Sequence, residues 1–270
     1  MKDIHTAKFF KEFCALTSNM YRLGWDERNG GNVSLMLETE EVEQYLDPTD
    51  VKRTFTITFD ASYLKGKYFL VTGTGKYFKN VEGDPENNIG IIRVGEDGKT
   101  MEIMWGYEDG SRPTSELPAH FMSHIERLKV DPEHRVVLHT HCTNVIAMTF
   151  IHSLDEKEFT KTLWYMITEC LVVFPDGVGV LPWMVCGTDE IGYATAEKMK
   201  DRRLCVWGMH GIFGTGKNID EAFGLVETVE KAAEIYMKIA NMDIKAHITD
   251  DELKDLAKAF GLKPRAGYLD

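Results

Sequence analysis

The stretch that most constrains this chain is Arg135-Val136-Val137-Leu138-His139-Thr140-His141. A short apolar run of this kind predicts a buried strand, and its last two alternate positions are both imidazoles. Side chains two apart on a strand share a face, so His139 and His141 stand side by side, about 7 Å apart along the backbone. From that spacing two ring nitrogens reach one metal ion at about 2.0–2.1 Å; without an ion they are hydrogen-bonded histidines at a strand end.

Other elements are arranged around this strand. Phe9, Phe13, Leu16, Met20 and Leu23 recur at helical spacing, with Gly24 as a stop. Strands are expected at 33–37, 53–59 and 68–71, and a hairpin at 89–94 and 101–105, because the Asp97-Gly98 turn matches the twist of paired strands. A helix starts near Thr114-Ser115 and turns Leu117, Phe121, Ile125 and Leu128 inward. Helices follow at 155–169, at 188–201 behind Thr188, at 218–242 behind Asn218, and at 250–260 before Gly261. Short strands are expected at 171–174, 178–181 and 204–207. Hairpins followed by helices predict an α/β fold with a mixed, mostly antiparallel central sheet and helices packed on both faces.

With 43% hydrophobic and 27% charged residues, the 270-residue chain reads as a single domain over 1–270, with the acidic stretch 38–66 as a surface excursion. A formal charge of -12 argues against nucleic acid or an anionic membrane as partner, since both need a basic surface. An anionic substrate would need a local pocket of donors. No apolar stretch is long enough to span a membrane and no signal-peptide core is present, so a cytoplasmic protein is expected. The five cysteines are odd in number and widely spaced, which is neither a disulfide framework nor a thiolate zinc site. Cys142 and Cys170 read as buried, inert thiols.

A catalytic metal held by two histidines needs a third protein ligand and an open position. His210 leads, because Gly211 beside it lets backbone approach closely. The rival set, Glu116, His120 and His124, recurs every four residues on one helix face and reads as a solvated face. Glu116, at a helix start beside a cation, can exchange a proton with bound substrate in either arrangement. Asn29-Gly30-Gly31-Asn32, Thr72-Gly73-Thr74-Gly75 and Thr114-Ser115 each offer amide or hydroxyl donors; together they suggest a phosphate pocket. Glu169 stands out as a carboxylate beside the apolar run 171–174, placed at a helix end or reaching across a subunit boundary. The stretch 211–218 has P-loop glycine and lysine spacing, but Asn218 stands where the magnesium-binding Ser or Thr belongs, so nucleotide hydrolysis is rejected.

The blocks Gly24-Trp25-Asp26-Glu27-Arg28-Asn29-Gly30-Gly31-Asn32, Thr72-Gly73-Thr74-Gly75-Lys76, Pro113-Thr114-Ser115-Glu116-Leu117-Pro118-Ala119-His120-Phe121, His139-Thr140-His141, residues 168–179 and His210-Gly211 occur in this order. In them the chain resembles the zinc-dependent class II aldolase family, which also includes sugar-phosphate epimerases and the adducin head domain. The resemblance implies Zn2+ on His139, His141 and His210, with Glu116 as acid/base. It implies a phosphorylated ketose cleaved through a metal-stabilised enediolate, its phosphate held by Asn29, Gly31, Asn32, Thr74, Gly75, Thr114 and Ser115. It further implies a cyclic homotetramer with active sites at subunit contacts, where Glu169 comes from the adjacent chain. Thr74 stands where the family pattern has serine; the hydroxyl is retained.

Overall fold

The computed structural model describes residues 1–269. Strand β6 (Val136–Thr140) is buried along its whole length, as its apolar run requires, and lies inside a nine-stranded sheet. The strands in chain order are β1 (Asn32–Leu37), β2 (Arg53–Thr56), β3 (Tyr68–Thr72), β4 (Ile89–Val94), β5 (Thr100–Gly106), β6, β7 (Gly179–Leu181), β8 (Leu204–Trp207) and β9 (Gly211–Gly216). Across the sheet they run β2-β5-β4-β3-β1-β6-β9-β8-β7. Every pairing is antiparallel except β7 with β8.

The helices are α1 (Lys8–Arg22), α2 (Thr39–Val42), α3 (Phe78–Val81), α4 (Pro85–Asn88), α5 (Leu117–Val130), α6 (Thr143–Ile151), α7 (Glu156–Met166), α8 (Glu169–Val173), α9 (Asp189–Met199), α10 (Ile219–Ile239) and α11 (Asp250–Phe260). Alternation along the strands divides the interior between two faces. Leu35, Leu70, Leu138, Val206 and Ile212 meet Phe13 of α1, Leu163 of α7 and Val226 of α10 on one face. Met36, Phe69, Val71 and Ile92 meet Leu117 and Phe121 of α5 on the other, where Val137 and Phe213 lie with Ile191 and Met199 of α9. Val137 and Leu138 are fully buried, each burial contributing about 1.5–3 kcal/mol. Helices therefore cover both faces, and the sheet holds β1, β6 and β9 side by side at its centre.

Local signals worked where caps are local. Thr188 caps α9, Asn218 caps α10, and Thr249 with Glu252 forms a capping box on α11, which ends at Gly261 in the left-handed region. Four expectations need correction. The run 171–174 is not a strand but most of α8, with Cys170 and Leu171 buried; a short apolar run does not by itself distinguish the two. The helix expected over 155–169 ends at Met166. α5 starts at Leu117, with Glu116 at its N-cap position. Strand β2 spans only Arg53–Thr56, at the sheet edge. Within 38–66, Val42 and Leu46 reach the first core, and Phe59, Ala61 and Leu64 reach the second.

Candidate active site

His139 is the last residue but one of β6, on the face covered by α5, and no part of it reaches solvent. Its ring stacks on Phe213 of β9, with centroids 4.5 Å apart and planes 21° from parallel. The Nδ1–H donates to the Ile212 carbonyl at 3.1 Å, which fixes the neutral tautomer and leaves Nε2 as a bare lone pair. Nε2 is buried and has no hydrogen-bond partner, a state that costs about 1–3 kcal/mol unless a ligand takes it up.

Two further imidazoles face that nitrogen. His141 follows the strand end, where its N–H donates to the Trp25 carbonyl at 2.8 Å and its Nδ1–H donates to the Glu27 carboxylate at 2.9 Å. His210 lies in the tight turn between β8 and β9, behind Met209 at a φ of 58°. The three ring centroids are 4.9, 5.1 and 5.2 Å apart. One ring nitrogen from each lies within 4.8 Å of the others, so the three can share one ion. The approach depends on Gly211: a Cβ there would sit 2.4 Å from the Thr140 carbonyl oxygen and 2.9 Å from the His139 ring. Burial and the neighbouring imidazoles hold His139 well below its ordinary pKa and His210 down at about 4, so both present the neutral form a metal needs. An orphaned nitrogen faced by two further imidazoles fits a divalent cation.

Glu116 completes the group. Its carboxylate oxygens lie 3.7 Å from His139 Nε2 and 3.9 Å from His210 Nε2. Burial raises its pKa, opposed by the hydrogen bond from Asn32 Nδ2 at 2.9 Å and the charge at His141. A carboxyl raised in this way is suited to taking up and returning protons.

Glu116, His141 and His210 open onto a cavity of about 300 Å³, lined also by Glu27, Arg28, Gly30, Gly73 and Cys186. The same wall contains Asn29, Gly31, Asn32, Thr74, Gly75, Thr114 and Ser115, so all three loops contribute donors in one place, with Thr72 buried behind them. The loops are tied together: Thr74 N–H donates to the Arg112 carbonyl and Thr114 N–H to the Thr72 carbonyl, both at 2.9 Å. Those two residues therefore offer a ligand their hydroxyls, not their amides. Gly31, at a φ of 74°, packs so closely on Asp26 that a Cβ would lie 1.7 Å from its carboxylate.

Glu169 is exposed at the start of α8, the helix-end placement that is one of its two expected readings, and it does not line its own chain's cavity. One expectation comes out differently. The face bearing His120 and His124 is not solvated; both rings are fully buried, bridged by Ser34 Oγ at 2.8 Å to each. Most of the stretch with P-loop spacing, whose nucleotide-hydrolysis reading the sequence already rejects, is strand β9. Sequence reading also missed Glu27, Arg28 and Cys186. The Glu27 carboxylate is 114 residues from the ring it orients, so no local pattern points to it. Arg28 brings the cation that a net acidic chain would need beside an anionic ligand. The Cys186 sulfur lies within 4.8 Å of ligand atoms on Glu116 and His210. Cys142 and Cys170 are buried, with burial pushing both thiols up.

Residues 11–237 match the family model for the class II aldolase and adducin N-terminal domain. The chain belongs to this family. It is 61% identical over 270 residues to the rhamnulose-1-phosphate aldolase of Listeria monocytogenes serotype 4b, covering 100% of this chain and 99% of that protein. It is 50% identical over 272 residues to the rhamnulose-1-phosphate aldolase of Mannheimia succiniciproducens, covering 100% of each. Among solved structures, the sugar-phosphate aldolase from Thermotoga maritima superposes with a TM-score of 0.76 at 29% identity, covering 90% of this chain and 99% of that one. Family membership accounts for the order of the sequence blocks, and with these relatives it identifies the chain as a sugar-phosphate aldolase, a lyase, in a generally metal-dependent family.

Proposed function

We propose that this aldolase reversibly cleaves L-rhamnulose 1-phosphate to dihydroxyacetone phosphate and L-lactaldehyde, with Zn2+ held by His139, His141 and His210. The observation that carries the reading is the unpartnered Nε2 of His139, faced by two more imidazoles and a buried carboxylate inside a donor-lined cavity. The names of relatives at 50–61% identity over the full length supply the substrate. When bound, the cation supplies Lewis acidity toward the ketone oxygen, favouring the charge that develops as the carbon–carbon bond breaks.

The protein groups do the rest. Asn29, Asn32, Thr74, Thr114 and Ser115, with the amides of Gly31 and Gly75 and the charge of Arg28, hold the phosphate and fix the ketose at one end. In cleavage the hydroxyl that becomes the aldehyde loses its proton as the carbon–carbon bond breaks and Glu116 delivers one to the carbon next to the carbonyl; in the synthetic direction Glu116 removes that carbon-bound proton and the new hydroxyl gains one. Among the described residues no lysine lines the cavity, in keeping with a reaction that needs no Schiff base. Glu169 acts from a neighbouring copy of the chain in a homotetramer. Its exposure away from its own cavity supports this, as do exposed Trp183, Val185 and Tyr193, apolar surface of the kind subunit contacts cover. No helix of the described residues is long and apolar enough to cross a membrane.

The test is release of aldehyde and dihydroxyacetone phosphate from rhamnulose 1-phosphate, assayed beside fuculose 1-phosphate. Chelation abolishes the activity and zinc restores it, while borohydride with substrate leaves the enzyme intact. Preference for fuculose 1-phosphate overturns the substrate; a trapped lysine adduct overturns the chemistry.

A further inference from the structure

Behind Glu116 lies a line of buried polar groups that the reaction above does not use. Glu116, His120 and His124 stand at intervals of four along the start of α5, rising about 6 Å per step. Asn32 and Ser34 stand two apart on β1, on the face turned toward α5, rising about 6.6 Å. The matched spacings let the helix row and the strand row alternate in one hydrogen-bonded line. Asn32 bridges Glu116 and His120, Ser34 bridges His120 and His124 at 2.8 Å to each, and His124 Nδ1 lies 2.8 Å from His134 Nε2. All are shielded, from Glu116 at 7% exposure and Asn32 at 6% to Ser34, His120 and His124 at 0%.

The direction of every bond follows from one end. The Glu116 carboxylate can only accept, so Asn32 gives it Nδ2–H and turns Oδ1 to His120. His120 must then carry its proton on Nε2, leaving Nδ1 to accept from the Ser34 hydroxyl. Ser34 Oγ in turn accepts from His124 Nε2–H, and His124 Nδ1 accepts from His134 Nε2–H. A neutral imidazole has one donor and one acceptor, and a serine hydroxyl fits the same scheme, so His120, Ser34 and His124 are each satisfied once on each side.

We propose that His120, Ser34, His124 and His134 are positioning residues that form a one-way hydrogen-bond relay, fixing the Asn32 amide so that it presents its N–H, never its oxygen, to Glu116. The carboxyl is thereby aimed at the metal-site histidines and kept as an acceptor between turnovers. A reversed Asn32 would set its oxygen against the carboxylate and leave His120 Nε2–H without an acceptor. The catalytic consequence rests on the assignment of Glu116 as acid/base; the relay itself does not.

The test has two arms. In protein carrying 15N-labelled histidine, long-range proton–nitrogen spectra at neutral pH give His120, His124 and His134 all as neutral Nε2–H tautomers. An Nδ1–H tautomer or an imidazolium at any of the three overturns the relay, whatever the substrate proves to be. In the second arm, Ser34→Ala cuts the line between His120 and His124. The tautomer of His120 is then no longer single, and kcat falls about tenfold with zinc content kept and KM within about twofold, the scale of loss for removing an outer support. Ser34→Cys, which retains a weak donor and acceptor, recovers part of kcat. Unchanged kcat per zinc-loaded molecule in Ser34→Ala, with only a lowered melting temperature, reduces the line to a structural role and overturns the proposal. If Ser34→Ala does not fold, the wild-type tautomers decide.

Discussion

Two clusters of three histidines lie on the same side of this sheet, and they differ in what their second ring nitrogens meet. In the closed cluster, His120, His124 and His134 are joined through Ser34 and Asn32, and the nitrogens along the line are used up within the protein. In the open cluster, His139 and His141 spend Nδ1 on the Ile212 carbonyl and on Glu27, and the remaining nitrogens converge with that of His210 on a common point. Burial lowers the pKa of His139 and His210 in one and of all three rings in the other, so burial alone does not distinguish a ligand from a scaffold. The distinction is an unmet lone pair: buried polar groups are nearly always paired, and one left bare at a cavity asks for a ligand.

The sharpest way to break this comparison is to remove a lone pair from the open cluster. His139→Ala should lower kcat/KM by about a thousandfold or more, the equivalent of about 4 kcal/mol of lost transition-state stabilisation, with zinc falling to background by elemental analysis. A variant that keeps both zinc and activity would place the ion elsewhere. Next comes Glu116→Gln, which keeps the shape and the cation but not the proton exchange. A loss of about 10²–10³ in kcat with zinc retained is expected from steady-state kinetics and metal analysis.

A smaller effect is expected one step out. Glu27→Gln weakens the bond that aims His141, and zinc affinity in a chelator competition should drop about ten- to a hundredfold. An unaltered affinity would mean that the ring is held by its backbone alone.

The smallest effect separates the clusters by acid stability. His120 and His134 are held at about 3 against an ordinary 6.5, chiefly by burial, and His124 is also lowered well below that value. Within that window the unfolded chain binds more protons than the folded one, so stability rises with pH across it and is lost as pH falls from 6.5 toward about 3. Each such group costs about 1.4 kcal/mol per pH unit below its unfolded value. His134→Gln should make urea midpoints less steep with pH between about 6 and 4 while leaving zinc bound at neutral pH. A slope identical to wild type would mean that the closed cluster is not kept neutral by the fold.

How much of this was readable beforehand varies by element. β6 was legible because its apolar run is unbroken and its ends are marked; α9, α10 and α11 were legible because Thr188, Asn218 and Thr249 cap them within three residues. α6 was not. Its first-turn amides at Asn144 and Val145 donate to the Glu230 carboxylate on α10, 85 and 86 residues away, so the sequence around Cys142 carries no start signal. For the same reason Glu27 and Arg28 escaped notice beside the more conspicuous Asn29 and Gly30.

By itself, the sequence determined the residue types and local periodicities: a strand ending in two same-face imidazoles, a helix row at intervals of four, and three donor-rich loops. Those follow from backbone geometry over a few residues, which tertiary packing has little freedom to alter. Only the fold decided which histidines can share one ion. Spacing treats Glu116, His120 and His124 alike, but β1 supplied Ser34 and Asn32 to pair with the two rings, while β9 and its turn carried His210 and Gly211 to a nitrogen that nothing else satisfies. Pairing depends on what lies across the gap, and that neighbour is set by sheet order, not by the adjacent sequence.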